Sequence, residues 1–192
     1  MRILVFLFLF LIQGTSFAEE SPGKVVKQTV DQVLDVLRDE DLEEDRKREI
    51  VYKLVSHQID FNSMSMRILA TNWKKARDEQ KAKFVMLFEK ILLQTYWTRM
   101  RKYSGERVEY LAVTRDSNDF ATVDTIIVRN EGSPEIPISY RLKLNGDKWL
   151  AYDFMVESLS LVQSFNREYN ATINNHGING LLEYMQSQIN NI

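Results

Sequence analysis

The hydrophobic period of this chain changes once between long segments, from 3.6 residues to 2 near Arg107, and that switch constrains the fold more than any motif in it. From about Asp78 to Tyr103 apolar residues recur at spacings of three and four, which predicts one long helix spanning roughly 39 Å at 1.5 Å per residue. Its inner stripe is Phe84, Leu87, Phe88, Ile91, Leu92, Thr95, Tyr96, Arg99 and Tyr103, with Val85, Met86, Leu93, Trp97 and Met100 in a second stripe beside it. A helix apolar over so wide an arc needs cover on two sides: helices on one, a sheet or the wall of a cavity on the other.

Beyond Arg107 the alternation predicts four strands, Arg107 to Thr114, Phe120 to Arg129, Ile136 to Leu144 and Lys148 to Phe154. The connections are turn-forming: Asp116-Ser117-Asn118-Asp119, Asn130-Glu131-Gly132-Ser133-Pro134 and Asn145-Gly146. Asn-Gly suits a type I′ hairpin, whose two central residues both need positive φ. In the third strand Ile136, Ile138, Tyr140, Leu142 and Leu144 share one face, opposite Ser139, Arg141 and Lys143. An antiparallel meander with one wetted face follows.

Helices flank it on both sides. An amphipathic helix from about Lys24 carries Val25, Val26, Thr29, Val30, Val33, Leu34 and Leu37 on one face. The charged stretch Arg38 to Arg48 holds a turn and the start of a second helix, and Asp60 opens a third that runs to Ile68 or Leu69 and closes near Trp73. Two more, Val156 to about Asn174 and Asn179 to about Asn190, are separated by Gly177 as a left-handed cap. Helices, then strands, then helices give an α+β fold: an antiparallel meander of four strands with about six helices.

The first eighteen residues read separately. Arg2 precedes the apolar run Ile3 to Ile12, too short to span a bilayer, and Ser16 and Ala18 suit cleavage before Glu19. This is a secretory signal peptide by pattern, leaving Glu19 to Ile192 as a single soluble domain outside the cytoplasm. The chain has no cysteine, which excludes a disulfide framework, thiolate metal sites and thiol catalysis. Its net charge of −2 is spread without a basic face, which argues against nucleic acid as a partner.

No catalytic signature is present: there is no G-x-S-x-G, no P-loop and no dinucleotide fingerprint. His57 and His176 are the only histidines, and His57 with Asp60 supplies two ligands where a metal site needs more. Asn170-Ala171-Thr172 matches a glycosylation acceptor at chance frequency. The chain spends its large side chains on apolar surface, which fits binding of something greasy better than transforming it.

Ordered fragments along the chain resemble the MlaC, or toluene-tolerance, family of periplasmic phospholipid-binding proteins. In the helical half they are Asp60-Phe61 with Met64, Trp73, Glu79-Gln80 with Phe84, and Leu92-Leu93 with Thr95-Tyr96. The remainder contributes Tyr103 with Val108, Val123-Asp124-Thr125, Tyr140-Arg141-Leu142, Trp149 with Tyr152-Asp153, Val156-Glu157, Ser160-Leu161-Val162, and Gly177 with Gly180-Leu181-Leu182. Three positions depart from the pattern: Ser158 stands where the family has glycine, Asp78 where it has proline, and Phe165-Asn166 replaces Tyr-Arg, with Arg167 one place later.

The resemblance implies a curved sheet of the nuclear-transport-factor-2-like kind, with helices closing a deep apolar pocket for acyl tails. It also implies a monomeric shuttle with no cofactor beyond its phospholipid cargo. Its partners would be an inner-membrane MCE-domain protein of an ABC transporter complex and an outer-membrane lipoprotein–porin complex, serving outer-membrane lipid asymmetry and solvent tolerance. Two acyl chains of about thirty methylenes cost roughly 25 kcal/mol to bring into water, so the pocket must lie at or above the top of the usual range of roughly 300 to 1,000 Å³.

Candidate lining residues are Tyr96, Val108, Tyr110, Ile138, Tyr140, Leu142, Trp149, Val156, Leu159, Val162 and Phe165; each also fits ordinary core packing. Arg99, Arg141 and Arg167 are candidates for the head group, with exposed or ion-paired arginines as the alternative. Two other functions remain open from sequence: an envelope adaptor with a filled interior, and an isomerase-like enzyme pairing Asp124 or Asp153 with Tyr140. Asp153, at the end of a strand before a helix, also fits a helix cap.

Overall fold

A computed structural model of the chain describes residues 21–103, 105–129 and 133–190. The stretch expected to be a signal peptide, residues 1–18, and the tip of the second strand connection, 130–132, lie outside the described residues. Five helices come first: α1 (Pro22–Arg38), α2 (Glu44–Ser56), α3 (Phe61–Leu69), α4 (Thr71–Lys75) and α5 (Asp78–Met100). Five strands follow, β1 (Arg107–Arg115), β2 (Phe120–Val128), β3 (Ile136–Asn145), β4 (Lys148–Val156) and β5 (Leu159–Ser160), before α6 (Leu161–Asn190).

The helix starts are set by side chains that accept the free backbone N–H groups. Ser21 Oγ accepts from the Lys24 amide at 3.3 Å and Pro22 sits in the first turn, so α1 begins two residues before the start expected at Lys24. Asp60 accepts from both the amide and the hydroxyl of Ser63, at 2.8 and 2.6 Å, and so opens α3. Along α5 the inner stripe is buried from Phe84 to Leu92, becomes half-buried at Thr95 and Tyr96, and reaches solvent at Arg99. That helix packs chiefly on α6 and α3. Phe84, Phe88, Phe61, Phe165 and Tyr169 form the aromatic centre of the contact, with ring centroids 5.2 to 6.3 Å apart.

The sheet is antiparallel in the order β1-β2-β3-β4-β5, one strand more than the sequence predicts. Bulges at Leu111 in β1 and Tyr152 in β4 shift the register and bend the strands. The outer edge of β4 is occupied twice. Near its start Gln58 and Asp60 bond to both backbone groups of Ala151, at 2.8 and 2.9 Å, and near its end it pairs with β5.

The predicted helix start at Val156 is wrong. β4 runs through Val156, and Glu157 and Ser158, at φ 50° and 68°, form a tight turn into β5. The helix begins only at Leu161, where Ser160 Oγ accepts from the Gln163 amide at 3.0 Å. A short polar turn between apolar residues looks helical by composition; the two positive φ angles make it a hairpin. Gly177 does interrupt α6, with φ 67° and an extended ψ of 179° in place of the left-handed helical ψ of a simple cap. Tyr184 Oη donates to Glu168 Oε1 at 3.1 Å across this break. Residues so spaced on one straight helix would stand about 24 Å apart, so the chain folds back at Gly177.

Candidate functional site

Cross-strand register defines the sheet face turned toward the helices. Val108, Ile127 and Ile136 align; so do Tyr110, Thr125, Ile138 and Val156; then Val123, Tyr140 and Phe154; then Ala121, Leu142 and Ala151; and last Leu144 with Trp149. One end of this face is filled. Ala121, Val123, Leu142, Trp149 and Ala151 are at most 4% exposed and belong to the same core cluster as Met64, Ile68, Phe84 and Phe88. Arg115 lies over the Trp149 ring at 5.3 Å.

The other end is not. Val108, Tyr110, Ile127, Ile136, Ile138, Tyr140, Phe154 and Val156 are all half-buried, although they are as apolar as their neighbours. Half-buried Tyr96 of α5 and Phe165 of α6 pack at the border of the same core. The result is an apolar face, continuous with the filled core at one end, that solvent still reaches, and this is the candidate cleft. Two surface hollows lie elsewhere and contain none of these residues. One of about 600 Å³ is lined by His176, Asn179, Gly180, Glu183, Tyr184 and Ser187, and one of about 410 Å³ runs from Ser56 to Asn62 with Val85, Glu89, Asn145 and Leu150.

Thr125 Oγ1 donates to the Ile138 carbonyl at 3.2 Å. Burial pushes the Tyr140 phenol up to about 12, with the neighbouring Thr125 side chain opposing. Its ring meets Phe154 edge-on at 5.7 Å, so the wall presents carbon. Burial likewise raises Tyr96, with Arg99 opposing, and raises Tyr110, where the carboxylate of Asp31 adds to the effect.

The predicted lining set therefore divides. Val108, Tyr110, Ile138, Tyr140 and Val156 stand on the open half; Tyr96 and Phe165 are half-buried against the core; Leu142, Trp149 and Val162 sit in the filled core; Leu159, 63% exposed, stands across the turn from Val156 at the rim. Sequence reasoning missed Ile127, Ile136, Thr125 and Phe154. The first three follow from alternation with Val123 and Ile138, but Phe154 does not, because the bulge at Tyr152 reverses the alternation from Trp149 and Ala151.

The three arginines are not brought together. Arg99 is exposed, with its guanidinium 5.5 Å from the Tyr96 ring centroid, and Arg167 is exposed on α6. Arg141 alternates with Tyr140 and so faces the opposite side of the sheet, with Nη1 3.5 Å from Asp153 Oδ2. Asp153 is buried and acts as a helix cap. It accepts from the Ser160 hydroxyl at 2.7 Å and the Val162 amide at 3.1 Å, which joins β4 to the start of α6. Asp124 pairs with Ser139 on the face away from Tyr140, so the Asp124–Tyr140 pair is not assembled. Among the described residues no cluster of three metal-ligating side chains occurs, and His57 is exposed with Nδ1 2.6 Å from the Lys53 carbonyl. Asn170 is taken up by structural bonds to Ile68, Asn72 and Asn166.

Helix α1 bounds the cleft on the β1 side. Tyr110 Oη donates to Asp31 Oδ1 at 3.1 Å and Lys27 Nζ lies 4.9 Å above the Tyr110 ring.

Comparison with known proteins places residues 27–187 on the family model described as MlaC protein. The intermembrane phospholipid transport system binding protein MlaC of Haemophilus influenzae is 23% identical over 185 residues, covering 92% of this chain and 86% of that protein. A solved phospholipid-binding protein from Ralstonia solanacearum, in complex with a phospholipid, shares the fold with a TM-score of 0.79. It is 20% identical, and the match covers 90% of this chain and 98% of that one.

Proposed function

The chain belongs to the MlaC protein family, and from that premise we propose that it is a phospholipid carrier that holds acyl chains against the open half of its sheet. The observation that carries the reading is the group of half-buried apolar side chains from Val108 to Val156, continuous with the core and not filled by it. Removing acyl methylenes from water is worth about 0.8 kcal/mol each, and this face offers the carbon surface to replace a bilayer. The Thr125 hydroxyl on that wall is already spent on the Ile138 carbonyl, so it is not stranded against a lipid tail.

The finer parts of the proposal are these. The protein works in the periplasm after loss of residues 1–18, takes phospholipid as cargo without a cofactor, and hands it between an outer-membrane lipoprotein–porin complex and an inner-membrane MCE-domain protein of an ABC transporter. Transfer between a well-matched cleft and a bilayer is nearly balanced in free energy, so direction comes from the transporter. It does no chemistry on its cargo: Asp153 is committed to capping α6, and Asp124 faces away from the cleft.

The test is native mass spectrometry of the mature protein followed by solvent extraction of what accompanies it. Near-stoichiometric phospholipid is expected, and Tyr140→Arg, which puts a charge on the cleft wall, is expected to remove it while far-ultraviolet circular dichroism is unchanged. Full lipid content in Tyr140→Arg would overturn the assignment of the cleft. A ligand-free parent that takes up nothing from liposomes would overturn the carrier.

A further inference from the structure

Helix α1 lies against β1 and β2 beside the open half of the sheet, and it is held in different ways along its length. At its N-terminal end Pro22 and Val26 are buried, and Gly23 approaches β1 so closely that a Cβ there would come within 2.7 Å of Val113 Cγ2. Beyond Val26 no residue of α1 is fully buried. Beyond Val26 the helix stays packed on α2, and Val30 stays against the core. Toward β1 its contacts over that stretch include polar ones: Tyr110 Oη donates to Asp31 Oδ1 at 3.1 Å and lies 3.5 Å from the Lys27 carbonyl oxygen. Packed apolar contacts open only by creating voids, whereas half-exposed hydrogen bonds exchange readily with water. The β1-facing edge of the helix is thus the side that loosens most readily.

Tyr110 stands at the boundary. Its ring is on the cleft wall, aligned with Thr125 and Ile138, while its hydroxyl reaches across to α1. We propose that Tyr110 is a positioning residue for cargo exchange, which through Asp31 holds the β1-facing edge of α1 against the cleft wall and so sets how fast lipid enters and leaves. This rests on the carrier reading. Breaking the bond lowers the barrier to loading and unloading alike, so rate and occupancy separate.

The experiment follows transfer of a fluorescent phospholipid from phosphatidylethanolamine–phosphatidylglycerol vesicles to the mature protein. Asp31→Ala is expected to raise the first-order transfer rate about three- to tenfold, the loss of one charge-assisted hydrogen bond from the barrier, with equilibrium occupancy unchanged. Tyr110→Phe keeps the ring and is expected to accelerate transfer by a similar factor. The double variant should be no faster than the faster single, because both remove one bond. Rates within twofold of the parent in a protein that still loads lipid, singles that multiply in the double, or occupancy falling in step with rate in Asp31→Ala would each overturn the assignment. A parent that loads no lipid at all would instead remove the carrier reading.

Discussion

The two ends of the inner sheet face are made of the same kinds of residue in the same alternation, yet one is core and the other is cleft. At the end that holds Ala121, Leu142 and Trp149, side chains of α3, α5 and α6 fill the space above the strands. At the end that holds Val108, Ile138 and Val156, the inner stripe of α5 has already given way to Thr95, Tyr96 and exposed Arg99. The strands do not decide which end binds. The layer above them does, by where its bulk stops.

The sharpest way to break this contrast is a pair of truncations measured by urea unfolding. Trp149→Ala is expected to cost about 3–5 kcal/mol, because a fully buried ring leaves a void in a close-packed core. Ile138→Ala is expected to cost less than about 1.5 kcal/mol in cargo-free protein, because its side chain is already partly in water, while lowering the phospholipid retained. Equal costs at the two positions would erase the distinction. A middle-sized effect is expected at the junction: Asp153→Ala removes the cap of α6 and leaves the Ser160 hydroxyl and Val162 amide without their acceptor, about 2–3 kcal/mol by the same measurement. A loss below about 0.5 kcal/mol would mean that α6 is held by packing alone. The smallest effect is at the rim, where Ser158→Gly should add about 0.5 kcal/mol by relieving a left-handed φ of 68°, offset in part by the freer unfolded chain. A lowered melting temperature in that variant would show that the Ser158 side chain contributes more than its backbone strain.

The elements were legible from sequence because periodicity is local, and the departures are equally local. Val156 to Ser160 was misread as helix because two positive φ angles at Glu157 and Ser158 leave no mark on apolar spacing. Membership of the cleft was legible only in part. Ile138 and Tyr140 can be assigned to a shared face from alternation, but whether Leu142, two residues on, meets a helix or a lipid depends on residues of α3 and α6 far away in the chain. Phe154 was hidden by the bulge at Tyr152, and the outward aim of Arg141 was available from the same alternation that placed Tyr140 inward.

The seam between Gln58–Asp60 and Ala151 has a bearing on how the chain comes to be folded. It joins the α2–α3 junction to the penultimate strand, so everything from α3 to β3 must be made before that junction finds its partner. Contacts of this span close late and slow the search. A fragment ending before β4 would lack the strand on which α3 is seated, and the helical half is therefore not a separable module. A chain whose parts close so late stays extendable for longer.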